Sequence, residues 1–215
     1  MKKGGHAYFA KRGMTALSHI TYNQIMNHFY LHLLTAAMAL TVTACGGNRQ
    51  GPCTLTVTTP YGKYQSAALL DGSQKQLEAE TALTAGTVTF SRDDADRMPY
   101  IATVQVMNPA DSLDVLEMPV VIEAGEVTLE LGPSVSLSGT ADNRAMYRFL
   151  RDKAKFDATY SNPEMDVKKL HSDYSAFYRD RILENADNPV GRYIYDTYGA
   201  HLLTDDREQV EEKLK

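Results

Sequence analysis

Val135-Ser136-Leu137-Ser138-Gly139-Thr140-Ala141-Asp142-Asn143 is where the hydrophobic period of this chain changes. Up to Leu137 the apolar residues recur at every second position, the signature of half-buried strands. Beyond Gly139 they recur at helical spacing. Thr140 or Asp142 is placed to cap a helix that carries Met146, Phe149, Leu150, Phe156 and Tyr160. The fold class is therefore α+β: an all-β sandwich or barrel-like part followed by a helical part.

Upstream, residues 53–138 read as eight or nine short strands separated by turns. Cys53, Leu55 and Val57 alternate with threonines until Pro60-Tyr61-Gly62 breaks the run. A second strand at residues 67–70 ends in the Asp71-Gly72 turn signal. Leu77, Ala79, Thr81 and Leu83 alternate next, and Ala85-Gly86 turns into Val88 and Phe90. Residues 92–98 form a charged loop before Pro99. Ala102, Val104 and Val106 share a strand face with Tyr100. Val115-Leu116 and Val120-Val121-Ile122 follow, and Ala124-Gly125 turns into Val127, Leu129 and Leu131. Regular short strands with this turn spacing point to a sandwich or barrel.

Downstream, Asn162-Pro163 and Asn188-Pro189 each pair a capping side chain with a proline at the first helical position. The first predicts a helix with Val167, Leu170, Tyr174, Phe177, Tyr178 and Ile182 on one stripe. The second predicts a helix with Val190, Tyr193, Ile194, Thr197 and Leu202. Thr204 is placed to cap a final acidic helix over residues 205–214.

The chain of 215 residues opens with a segment of another kind. An apolar run over residues 29–42, broken by His32, ends in Leu40-Thr41-Val42-Thr43-Ala44-Cys45. It falls short of the roughly 20 apolar residues a membrane helix needs. Small residues before a cysteine after such a run resemble the lipobox of bacterial lipoprotein signal peptides. That resemblance implies cleavage after Ala44 and acylation of Cys45. Two starts are open: Met1 places Lys2, Lys3, Lys11 and Arg12 far upstream, whereas Met26 gives a compact signal without any Lys or Arg. The organisation is then a signal peptide at 1–44, a glycine-rich tether at 45–52, strands at 53–138 and helices at 139–215. Two or more acyl chains hold a protein stably on a bilayer where one does not. No acidic cluster follows Cys45, which favours the periplasmic face of the outer membrane over surface display.

Without residues 1–44 the chain keeps 18 basic and 27 acidic residues, a formal charge of −9. Such a surface repels phosphate backbones, so nucleic acid is not a partner. His171 and His201 are the histidines left, and Cys53 is the cysteine left beside Cys45. No Cys-x-x-Cys exists to form a dithiol centre. Cys53, in phase with Leu55 and Val57, reads as a buried thiol, with a redox role as the other reading.

The chain also resembles a family: the N-terminal domain of unknown function that precedes thioredoxin-like, peroxiredoxin-type domains in envelope lipoproteins. Three stretches carry the likeness. One runs from Leu77-Glu78-Ala79 to Gly86-Thr87-Val88-Thr89-Phe90. Another is Pro119-Val120-Val121-Ile122-Glu123-Ala124-Gly125-Glu126-Val127-Thr128-Leu129. The last is Leu137-Ser138-Gly139-Thr140-Ala141-Asp142-Asn143. Asn185-Ala186-Asp187-Asn188-Pro189-Val190-Gly191 fits the connecting region. The resemblance implies structural roles for Gly86, Phe90, Glu123, Gly125, Gly139, Thr140, Asn143, Asn188, Pro189 and Gly191. In those relatives a thioredoxin-like domain follows; here Lys215 stands where it would begin.

Candidate catalytic groups do not assemble from spacing. Glu123 and Glu126 flank a tight turn at Gly125 and are expected in solvent. Asp93-Asp94-x-Asp96 lacks the glycine and distal glutamate of a calcium loop and reads as a solvated loop. His171, Ser172 and Asp173 are adjacent on a helix and point in different directions. No metal or cofactor is expected. Tyr147, Tyr160, Tyr174, Tyr178, Tyr193, Tyr195 and Tyr198 crowd the helical part, either as core or as a surface for glycans or proteins, with Tyr195 the best candidate for exposure. The expectation is a non-catalytic lipid-anchored envelope protein that binds or scaffolds another envelope protein. The other reading is an accessory partner of a separate thioredoxin-like protein in thiol redox or peroxide defence.

Overall fold

A computed structural model describes residues 51–94, 96–160 and 166–215. Strands precede helices, as an α+β chain requires. Eight strands are described: β1 (Cys53–Thr58), β2 (Ser66–Leu70), β3 (Gln76–Ala82), β4 (Thr87–Arg92), β5 (Tyr100–Asn108), β6 (Asp111–Ile122), β7 (Gly125–Leu131) and β8 (Val135–Ser138). Four α-helices follow: α1 (Ala141–Thr159), α2 (Val167–Glu184), α3 (Pro189–Tyr198) and α4 (Thr204–Lys213). A 3-10 turn, Gly199–His201, links the last two.

The strands hydrogen-bond into two separate four-stranded sheets, ordered β4-β1-β7-β8 and β3-β2-β5-β6. Pairing is antiparallel except between β1 and β7, which run parallel. In β1 the expected alternation is complete: Cys53, Leu55 and Val57 are buried and the threonines between them half-buried. Leu55 lies opposite Phe90 on one side and Val127 on the other. Ala102, Val104 and Val106 of β5 join the same core from the other sheet. Pro119 sits within β6, where a missing N–H costs nothing because β6 is an edge strand.

One predicted strand face is not buried. Of Leu77, Ala79, Thr81 and Leu83, only the two leucines are half-buried, and Ala79 and Thr81 are exposed. The cause is position: β3 is an edge strand, and register shifts in its pairing with β2 turn the alternation out of phase with the core.

Helix α1 packs against β6 and β8, the edge strands at one side of both sheets. Its buried residues Asp142, Asn143, Ala145, Met146 and Phe149 follow a helical stripe. On the other side β3 and β4 are joined by Arg92, which bonds the Leu77 carbonyl at 3.3 Å and Glu78 at 2.8 Å. Hydrophobic contact crosses from strands to helices without a gap: Leu137, Met146, Phe149, Val190 and Ile194 belong to one core cluster.

Helix α3 starts as expected, with Asn188 accepting from the Val190 N–H and Pro189 in the first turn. Gly191 is required there, since a Cβ would lie 2.3 Å from the Asn185 carbonyl oxygen. Two helix starts differ from expectation, and a third is not covered by the described residues. Thr140 is the N-cap residue of α1 but its side chain makes no cap bond. Thr204 is already helical, and Leu203 precedes it as the cap. The Asn162-Pro163 start lies outside the described residues, and α2 as described begins at Val167, capped by Asp166. Val167, the first residue of the helix, is 63% exposed rather than part of the buried stripe.

Candidate functional site

Residues from three separate stretches of sequence meet at the end of the sheets where the chain enters β1. The Gly125 N–H donates to the Pro52 carbonyl at 3.0 Å, so the last residue of the expected tether is already fixed to the body. Cys53 pairs with Gly125 in the parallel register. Gly139 comes against the same strand, close enough that a Cβ would lie 2.0 Å from the Glu126 carbonyl oxygen. Thr140 approaches from the other side, its methyl 3.2 Å from where a Gly125 Cβ would be.

Glu123 is the centre of this junction. It is half-buried, not in solvent, whereas Glu126 is exposed. Its Oε1 accepts from the backbone N–H groups of Asp142 at 2.9 Å and Asn143 at 3.2 Å. It therefore caps α1 in place of Thr140, supplying a negative charge to the first turn. Asn143 is fully buried and does for edge strand β6 what a ninth strand would do. Its Oδ1 accepts from the Val121 N–H at 2.9 Å, and its Nδ2 donates to the Val121 carbonyl at 2.7 Å. The same Nδ2 donates to the Thr140 hydroxyl at 2.8 Å, which is what occupies that hydroxyl.

Burial pushes the Glu123 carboxyl above its ordinary range, and the nearby Asp142 charge adds to the rise against the pull of the Thr140 hydroxyl and the two N–H groups. A raised carboxyl stabilises the fold below its unfolded pKa and loses that contribution as pH rises through the folded value. Glu123→Gln keeps an oxygen on both N–H groups but cannot ionise. The variant is expected to gain stability relative to the parent between about pH 4 and pH 7, read from urea midpoints at both pH values. A relative loss over that interval would refute the assignment.

Cys53 is fully buried within the sheet, and burial pushes its thiol up, opposed by the Glu123 backbone N–H. A neutral, enclosed thiol is a poor nucleophile. Cys45 lies outside the described residues, as does the rest of residues 1–50, on which the expected signal peptide and most of the expected tether fall. Gly86 is at the opposite end, where its carbonyl accepts from the Thr59 N–H, and Phe90 is core.

The acidic loop is not fully solvated. Asp94 accepts from Arg92 at 2.9 Å and from the Tyr100 hydroxyl at 2.9 Å. Burial works to raise its carboxyl, but Arg92 and Tyr100 outweigh burial and hold it below the usual range. Sequence spacing missed this because Tyr100 and Glu78 reach the loop from other strands. Asp173 accepts from Tyr160 and Lys169 rather than from its neighbours His171 and Ser172. Among the described residues no group of three His, Cys, Asp or Glu side chains could hold a metal ion. Nor is any described helix long and apolar enough to cross a membrane.

The helical tyrosines are mostly packing. Phe156 stacks on Phe177 at 4.4 Å and meets Tyr174 edge-on at 5.0 Å; Tyr178 stacks on Tyr198 at 4.8 Å. Tyr195 is half-buried, its hydroxyl donating to Glu211 of α4 and its ring under Arg192, so it is not the exposed member. The terminal helix is held by a further polar cluster: Ser175, fully buried, donates to Asp206 and accepts from the Leu203 N–H at 2.8 Å, while Arg179 pairs with Asp206 at 2.7 Å. The tyrosine exposed to solvent among the described residues is Tyr61, in the loop between β1 and β2. No model of a known protein family matches the chain, and no curated protein matches it.

Proposed function

We propose that this chain is a lipid-anchored, non-catalytic binding or scaffolding protein of the bacterial cell envelope. In this reading Cys45 is the acylated residue, the two sheets form a sandwich, and the body faces the periplasm from the outer membrane, where it engages another envelope protein or ligand. The observation that carries the reading is the junction at the chain entry. Pro52, Gly125, Glu123, Thr140 and Asn143 bind the incoming chain, both sheets and the first helix into one rigid base. A base of that kind suits a protein held at one point. The eight residues 45–52 would keep this end within roughly 25 Å of the bilayer.

The second reading, an accessory partner in thiol redox or peroxide defence, drew its chemistry from Cys53. Full burial of that thiol favours the binding role over it.

Cys45→Ser tests the anchor. The parent is expected in the membrane fraction with its leader removed, and the variant in the soluble fraction or as unprocessed precursor; fractionation and intact-mass measurement distinguish these. A parent that is unacylated by mass would overturn the proposal.

A further inference from the structure

The two ends of the sheets differ in charge. At the end where the chain enters, the loops and turns carry Asp71, Asp93, Asp94, Asp96 and Glu123 against Lys75 and Arg97. At the other end lie the loops of residues 59–65, 83–86, 109–110 and 132–134, which hold one charged residue, Lys63. With Lys63 set against Asp111 and Asp114 of the adjoining start of β6, this end carries a net charge of −1, and the entry end −3. It also holds a polar side-chain cluster that the junction does not use.

Asp114, near the start of β6, is the hub of that cluster. It accepts from Lys63 at 2.7 Å, from the Tyr64 hydroxyl at 2.9 Å and from Asn108 at 2.9 Å. Those three donors lower its carboxyl, Lys63 most strongly, so it is ionised and its charge is cancelled locally. Beside it Tyr61 projects from a turn fixed by two bonds. Its own N–H donates to the Thr59 hydroxyl at 3.3 Å, and the Tyr64 N–H donates to its carbonyl at 3.1 Å. The Tyr61 ring is 38% exposed and meets buried Tyr64 edge-on at 6.3 Å. An exposed ring thus stands one side chain away from a carboxylate, an ammonium and an amide, all held in place before any ligand arrives.

The geometry points to a binding site for an uncharged glycan, built of hexose or N-acetylhexosamine units, at the Tyr61–Asp114 end of the sheets. A sugar hydroxyl donates and accepts at once. Asp114 retains lone pairs to accept from it, and Lys63 and Asn108 retain N–H groups to donate. The exposed Tyr61 face offers the apolar ring surface that the C–H face of a sugar covers. Anionic glycans are excluded by the acidic body and by the absence of an uncompensated cation in these loops. A protein partner is less well served, because the four loops offer mainly isolated prolines, and exposed Leu113 of β6 adds a single apolar side chain, not a continuous apolar surface.

This inference rests on the reading of the body as a binding module, and its test is independent of the anchor. Full-length protein in detergent is titrated with tetrasaccharides of N-acetylglucosamine and of glucose, following tyrosine fluorescence and heat. Saturable binding of at least one is expected. Tyr61→Ala is expected to weaken it about tenfold or more, the scale of truncating a central aromatic, with the thermal midpoint unchanged. Asp114→Asn is expected to weaken it while preserving shape. Failure of both probes to bind, binding that Tyr61→Ala leaves intact, or a crosslink from position 61 to a protein alone would each overturn the site. None of those results would alter the membrane fractionation of Cys45→Ser.

Discussion

Replacing Asn143 with alanine is expected to lower the unfolding free energy by about 3 kcal/mol. The side chain is fully buried and serves three groups: the Val121 N–H, the Val121 carbonyl and the Thr140 hydroxyl. Truncation leaves the two backbone groups of β6 enclosed beneath α1 without partners. Each such group costs about 1–3 kcal/mol. Against a total stability of about 5–15 kcal/mol this is a large fraction. The chain contains no tryptophan, so urea unfolding is best followed by circular dichroism or tyrosine emission. A loss below about 1 kcal/mol would show that the edge of β6 finds another partner.

Gly139→Ala is expected to have an effect at least as large, about 3–4 kcal/mol, for a different reason. The backbone at Gly139 has φ +111°, a conformation that disfavours every side chain. The added methyl would also lie 2.0 Å from the Glu126 carbonyl oxygen and 3.0 Å from the Val127 Cα, both backbone atoms of β7. Relief requires β7 or the start of α1 to move, and either movement breaks the Glu123 cap. Gly132→Ala is the control. There the nearest atoms to a Cβ are those of Pro60 at 3.6 Å, and little change is expected. A Gly139 variant as stable as the Gly132 variant would refute the account of the junction.

Much of this fold could be read from local sequence, for reasons that also explain what could not. β1, β5 and β7 alternate cleanly because each is an inner strand with one face in the core. Asn188-Pro189 marks the start of α3 because a cap and a first-turn proline act within three residues. Ala79 and Thr81 fit the same alternation yet stay exposed, since only sheet order shows that β3 is an edge. The cap of α1 was sought at Thr140 or Asp142, whereas Glu123 supplies it from 19 residues before Asp142. No local rule reaches that far. Asp94 and Tyr195 were misplaced in the same way: Arg92, Tyr100 and Glu211 tie them down, and the last two come from other elements. The stretch from Leu137 to Asn143 holds both the change of period and, at Gly139, the tightest approach of backbone to any described glycine. The change of period and the tight approach have one cause, because a strand becomes a helix there within the width of one glycine.

The parallel alignment of β1 with β7 has a mechanical consequence. A pull on the chain at residue 52 acts along the axis of β1, whose neighbours on both sides, β4 and β7, are hydrogen-bonded across its full length. Those bonds lie across the direction of the load and must shear together, instead of opening one after another as a hairpin unzips. The point where the chain enters the body is thus one that resists being drawn out.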